Sequence, residues 1–327
     1  MRRTALALTV LLVAASAFAD DGTRTFDGAY TATISRIPAD AGVLNVWIPI
    51  PTTRGEQEIT DVKVDSIYKW QRMKESEFGD EYIFAKVPAP PTGEFTVKVN
   101  FRATRHNVAY STLANVSTSK QEVARALRAD RLVTISPRIQ KIADEVTAGK
   151  TNVTDQAHAI YEYVVSHMKY DKTIPGWGNG DTERACDIKA GNCTDFHSLF
   201  MSLARAKSIP ARFLIGFPLP ASSGKAPGYH CWAEFYDGKS WVPIDASEAS
   251  KSSDPAVRAF LFGNLGADRI EFTRGRDLTV NPATSEPLNI FIYPRAEANG
   301  KVVGSPSITL EVRDVASGGA VAASAGQ

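Results

Sequence analysis

Three residues, met in chain order, have the types that acyl transfer through sulfur requires: Cys193 in Gly191-Asn192-Cys193-Thr194-Asp195, His230 in Tyr229-His230-Cys231-Trp232, and Asp245 closing Trp241-Val242-Pro243-Ile244-Asp245. A thiolate attacks a carbonyl carbon, an imidazole moves the proton, and a carboxylate holds the imidazole in the useful tautomer. Cysteine is the informative member, because most thiols are inert and only a lowered pKa makes one reactive.

The local pattern around Cys193 supplies that lowering. Phe196, Leu199, Phe200, Leu203 and Ala204 recur at helical spacing and predict one core-facing stripe. Asn192 is a good N-cap, Asp195 stands where a capping-box acid belongs, and Arg205, Lys207 and Pro210 mark the end. Cys193 is therefore expected at the first helical position. There the dipole and the unpaired N–H groups favour thiolate over a thiol of ordinary pKa about 8.5. The same N–H groups suit an oxyanion, and Gly191 would let a substrate chain approach. His197 lies four residues on, along the same helix face. It is read as supporting the site, since no further ligands appear at metal-site spacing and no metal is expected.

Asp237-Gly238 between alternating segments signals a hairpin. A two-residue turn would set Tyr236 opposite Lys239 and His230 opposite Asp245. A four-residue loop would make His230 and Asp245 diagonal neighbours on the same face. Pro243 bears on the choice, because in the first register it occupies a position that should donate a ladder bond.

The elements that must position these residues fall into two groups. Strand-like runs at 26–34, 43–50, 59–64, 82–87 and 95–104, separated by turn clusters such as 38–42 and 89–93, predict a small N-terminal β-sandwich. Helices are then expected at 121–129, from Pro137 to about Ala148 behind Ser136, and from a cap at Thr154 to about Met168. A loop through Pro175-Gly176-Trp177-Gly178-Asn179-Gly180 follows. Further strands are predicted at 269–272, 288–293 and 308–313, and the Ala, Gly and Ser of 316–327 predict disorder. The fold class is α+β, divided into 20–110 for the sandwich and 111–315 for the thiol domain with its C-terminal strands.

The first nineteen residues read as a secretory signal: Arg2 and Arg3, an apolar run from Ala5 to Ala15, and Ala17-Phe18-Ala19 before a mature start at Asp20. The run is shorter than the roughly 20 residues that span a bilayer, so no membrane span is expected. Removing Arg2 and Arg3 from the 37 basic residues leaves 35 against 36 acidic ones, and this near-neutral balance argues against nucleic acid as partner. A secreted or periplasmic location follows. Three cysteines cannot all pair in an oxidising compartment. Cys231 points away from the face of His230, so either it bridges to Cys186 or both are buried thiols. Asp181 and Glu183 lack a recognisable calcium loop.

Over residues 155 to 250 these motifs resemble the transglutaminase-like superfamily, papain-like thiol enzymes, and its bacterial exported branch in particular. The resemblance implies a helix carrying the cysteine packed on an antiparallel sheet, with Cys193 as nucleophile, His230 as general base and acid, and Asp245 as the orienting carboxylate. It implies no cofactor and a protein or peptide substrate. Papain carries a glutamine six residues before its cysteine as oxyanion donor; here that position is Asp187, and the Trp177 indole N–H is a substitute candidate. The superfamily contains peptidases, amidases, amide cross-linkers and inactive members. The expected activity is a cysteine peptidase or amidase, with a cross-linking transglutaminase and a noncatalytic envelope binding module as the alternatives.

Overall fold

The computed structural model describes residues 22–90 and 92–315. The signal segment at 1–19 and the tail at 316–327 lie outside the described residues.

Alternation builds the N-terminal half. Strand β1 (Thr23–Ser35) turns Phe26, Tyr30, Ala32 and Ile34 inward with period two. It is followed by β2 (Val43–Pro49), β3 (Gln57–Asp65), β4 (Gln71–Lys74), β5 (Glu81–Pro88) and β6 (Phe95–His106). Sheet formation splits them into two layers, with β1, β6 and β3 in one and β2, β5 and β4 in the other. Gly28 is required by packing, because a Cβ there would stand 2.4 Å from the Phe101 ring. β2 is buried on both faces: Leu44, Val46 and Ile48 enter the sandwich core, and Trp47 packs with Tyr82, Phe84, Leu278 and Phe291.

Helices α1 (Lys120–Leu127), α2 (Pro137–Val146) and α3 (Val153–His167) lead into strand β7 (Lys169–Tyr170), α4 (Thr182–Ile188), β8 (Ala190–Gly191) and α5 (Cys193–Ala206). The caps at Ser136 and Pro137 are as predicted. The third helix is capped by Asn152, whose side chain accepts from Asp155 N–H at 2.8 Å, two residues before the predicted Thr154. Strands β9 (Ala211–Pro218), β10 (Gly224–Lys225), β11 (His230–Tyr236) and β12 (Trp241–Ile244) precede α6 (Ala246–Lys251), α7 (Pro255–Phe260) and β13 (Arg269–Arg274). Together β12, β11, β9 and β13, in that order, form an antiparallel sheet against which α5 packs.

The chain then returns to its beginning. β14 (Arg295–Ala298) pairs with β2, β15 (Lys301–Val302) pairs with β14, and β16 (Ser305–Asp314) pairs with β1 along ten residues. Dividing the molecule at residue 111 placed these last strands with the thiol domain, whereas their ladders lie in the sandwich. The two halves are further joined by Gln57, whose amide donates to Glu271 C=O at 2.9 Å and accepts from Glu271 N–H at 2.8 Å.

The strand predicted at 288–293 is not formed. Its carbonyls find side-chain donors in place of a ladder: Arg276 Nε on Asn289 at 2.9 Å, Thr273 Oγ1 on Phe291 at 2.7 Å and Tyr30 Oη on Ile292 at 2.8 Å. Apart from one bridge between Leu288 and Leu278, this backbone is satisfied without a neighbouring strand.

Candidate active site

Helix α5 begins as its residues predict. Asn192 Oδ1 accepts from Thr194 N–H at 2.9 Å, and Asp195 returns the bond to Asn192 N–H at 2.9 Å, a reciprocal box with Cys193 first in the helix. The predicted stripe is only half of its packing. His197, Ser198, Ser202 and Arg205 are buried too, each tied by hydrogen bonds. A polar face that looks solvated in sequence is thus a hydrogen-bonded seam inside the domain.

Asp195 does more than cap. Its carboxylate also accepts from Gly178 N–H at 2.8 Å and Gly180 N–H at 3.1 Å, so it pins the 175–180 loop across the helix start. Burial raises its pKa against these three N–H donors, which lower it. Gly191 has a reason here: a Cβ would fall 2.2 Å from Asp195 Oδ2, so glycine makes room for the cap.

The hairpin adopts the longer of the two predicted loops. Tyr236 faces Trp241 and Ala233 faces Ile244. Asp237 N–H donates to Ser240 C=O at 3.1 Å, and Asp237 Oδ1 accepts from Lys239 N–H and Ser240 N–H at 2.8 Å each. Bonded and unbonded pairs alternate along such a ladder, so Pro243, opposite Glu234, occupies a place that needs no N–H. The strand ends at Ile244, and Asp245 stands as the N-cap of α6, diagonal to His230.

From that cap Asp245 Oδ2 lies 2.7 Å from His230 Nε2 and accepts from Arg269 Nη1 at 2.8 Å. Its other oxygen accepts from Glu248 N–H at 3.0 Å and Ser247 Oγ at 3.1 Å. Burial alone would raise this carboxyl, but His230 and Arg269 hold it well below the usual range. Burial likewise opposes a charged His230, yet Asp245 and the Cys193 sulfur raise its pKa to about 10. With Nε2 engaged, Nδ1 is the nitrogen left for the thiol; Glu248 Oε1 stands 3.8 Å from it at the mouth.

His197 takes a different part. Its Nε2 accepts from Ala246 N–H at 3.1 Å, so the ring proton sits on Nδ1 and donates to Cys193 C=O at 2.8 Å. Fully buried, with its pKa lowered by that burial, it is a neutral strut between the start of α5 and the start of α6. Arg269, on β13, had no local signal in the sequence; only sheet order brings it to Asp245.

All three cysteines are free. Cys231 does point away from the His230 face, but toward α5, with Sγ 3.7 Å from Thr194 Oγ1 and 3.9 Å from His197 Nδ1. It is placed beneath the nucleophile candidate and not beside Cys186, which resolves the pairing in favour of buried thiols. Their environments separate them. The Cys231 thiol hydrogen-bonds the Cys193 sulfur and, with His230, holds Cys193 well below the ordinary thiol range despite burial. Burial pushes Cys231 well up and Cys186 to about 11.

The position of papain's glutamine supplies no donor, and the Trp177 indole offered in its place lies at the surface. Asp187 is exposed and paired with Arg138. Trp177 is 37 % exposed, its ring 5.6 Å from Lys172 Nζ. Tyr170 is set beside Gly191 by the β7–β8 pairing, and Tyr229 packs edge-on against Tyr293 at 5.9 Å.

Residues 140–246 match the model of the transglutaminase-like superfamily core. The chain carries a transglutaminase-like core domain. An uncharacterized protein of Haemophilus influenzae is 28 % identical over 306 residues, covering 81 % of this chain and 83 % of that one. A crystal structure from Cytophaga hutchinsonii, described as that of a candidate cysteine protease, superposes with a TM-score of 0.61 at 16 % identity, over 90 % of this chain and 91 % of its own. That likeness extends the shared fold beyond the transglutaminase-like core to the sandwich that precedes it.

Proposed function

We propose that this chain is an exported thiol enzyme that opens an amide bond through Cys193, His230 and Asp245, with water resolving the thioester. The observation that carries the reading is the His230 ring, held by Asp245 at 2.7 Å through Nε2, which leaves Nδ1 free of that bond, beside a thiol whose pKa is depressed by Cys231 and His230. In the reaction the Cys193 thiolate adds to the carbonyl carbon. The His230 imidazolium gives its proton to the departing amine nitrogen as the C–N bond breaks. His230, now neutral, takes a proton from water, whose oxygen displaces the sulfur and releases the acid.

Hydrolysis is favoured over cross-linking by access. Cys193 is 2 % exposed and His230 6 %, so water reaches the thioester more easily than a second chain. Among the described residues no helix is long and apolar enough to cross a membrane, and the signal-like first nineteen residues support export. Release with Asp20 as the first residue is checked by N-terminal sequencing.

The decisive test is iodoacetamide alkylation against pH, with the modified site assigned by mass spectrometry. Cys193 should react well below pH 8 in the wild type and lose that reactivity in His230→Ala. An ordinary thiol profile in both proteins would sink the enzyme reading and leave a binding module. Incorporation of a fluorescent primary amine into a glutamine-bearing protein, absent in Cys193→Ala, would replace hydrolysis by cross-linking.

A further inference from the structure

An acyl-transfer site that builds negative charge on a carbonyl oxygen needs donors aimed at that oxygen before the reaction starts. The first turn of α5 offers one. Thr194 N–H is taken by Asn192 Oδ1, and Asp195 N–H and Phe196 N–H are taken by Asn192 C=O, which leaves Cys193 N–H of the orphan groups at the helix start. A second donor is needed, and the Trp177 indole suggested by the sequence is 37 % exposed beside Lys172.

The hydrogen bonds around Asn192 supply it. Asn192 Oδ1 must face Thr194 N–H, because a backbone N–H can only donate; Asn192 Nδ2 therefore points the other way, at Tyr229 Oη, 2.8 Å distant. An amide nitrogen can only donate, so the Tyr229 oxygen accepts, while the Thr194 hydroxyl stands 3.7 Å from Cys231 Sγ. The phenolic proton is thereby left over, on an oxygen fixed beside the residue that precedes Cys193. Opposite it stands Gly178, whose missing Cβ would have been 3.8 Å from Tyr229 Oη and 3.4 Å from Asn192 Nδ2, so the loop leaves room at this place. Tyr170 and Tyr293 feel the Cys193 charge as well, but among the described residues no hydrogen bond fixes either hydroxyl.

We infer that Tyr229 is a catalytic residue whose O–H, together with Cys193 N–H, binds the oxyanion formed when Cys193 attacks. The inference rests on the thiol-enzyme reading above. It needs no new reactant: the phenol donates a hydrogen bond and keeps its proton, and burial together with the nearby Cys193 charge holds it protonated through the working range.

Two reagents separate this role from thiol activation. Iodoacetamide alkylates by displacement at a saturated carbon and forms no oxyanion, whereas p-nitrophenyl acetate acylates the same sulfur through a tetrahedral oxyanion. Tyr229→Phe should slow acylation by p-nitrophenyl acetate by about 100-fold, within the range for loss of one such donor, while alkylation keeps its rate and pH profile within about twofold. Trp177→Phe should leave both rates within about threefold. Equal losses with both reagents in Tyr229→Phe would make Tyr229 structural and overturn the inference, as would acylation unchanged in that variant. A large acylation loss in Trp177→Phe would hand the role to the indole. The wild-type alkylation profile tests the thiol site separately: if it is ordinary, the enzyme reading itself falls.

Discussion

Two histidines flank one carboxylate, and the structure treats them in opposite ways. On the mouth side of Asp245, His230 Nε2 is 2.7 Å away and its pKa rises to about 10. On the helix side, His197 Nε2 is 3.6 Å away, and burial lowers its pKa. Both rings stand within 4 Å of the carboxylate, but only one is hydrogen-bonded to it. His230 presents Nε2 to the carboxylate itself, while His197 Nε2 is occupied by Ala246 N–H, which demands a lone pair and so an unprotonated nitrogen. One imidazole is thus suited to carrying a proton and the other to being a fixed spacer.

The comparison breaks most severely at Asp245. Asp245→Asn should lower acyl transfer by about 10⁴-fold, as loss of the orienting carboxylate does in a serine triad. It should also move the alkaline limb of the activity profile. In the wild type the imidazolium donor survives until pH rises through about 10, so amide opening increases as the thiol ionises and falls only above that value. Without the carboxylate that fall should move down toward the ordinary histidine range, about 6.5. A limb that stays near 10 in the variant would show that Asp245 does not set the His230 charge.

His197→Ala sharpens the contrast. The variant leaves the buried Ala246 N–H without its acceptor and removes the side-chain bond to Cys193 C=O, which should cost about 1–3 kcal/mol in urea unfolding. The maximal rate should drop modestly while the alkaline limb stays in place, because His197 is neutral throughout. A shifted limb would put His197 in the proton path. Nitrogen-15 spectra should show its Nδ1–H tautomer unchanged between pH 5 and 8.

The smallest effect is expected at Cys186. Burial pushes this thiol to about 11, and it lies apart from the Cys193–Cys231 pair. Cys186→Ala should leave acyl transfer within about twofold and cost about 1 kcal/mol, the usual scale for a point change. A larger loss of activity would mean that the three thiols are coupled.

The start of α5 was readable from a few adjacent residues, since the cap at Asn192, the return bond from Asp195 and the stripe from Phe196 to Ala204 are all encoded within about two turns. The hairpin was readable up to its register, and Pro243 was the residue that selected it, by having no N–H to give. What escaped was mostly polar and distant. Ser198, Ser202 and Arg205 look like a solvated face, yet each is buried against a partner from another segment. Residues 288–293 have the composition of a strand, but beyond a single bridge at Leu288 the carbonyls of Asn289, Phe291 and Ile292 are taken by Arg276, Thr273 and Tyr30.

The sequence by itself determined where the thiol sits on its helix, that the hairpin carries a histidine and an aspartate on one face, and that a β-rich unit comes first. Caps, stripes and turns act over a few residues, so their physics is written locally. Only the tertiary structure decided that Arg269 braces Asp245 from 24 residues away, that Ala246 neutralises His197 from 49, and that the final strand returns to pair with the first. Those contacts depend on which segments the core brings together, and burial then sets the charge each group carries.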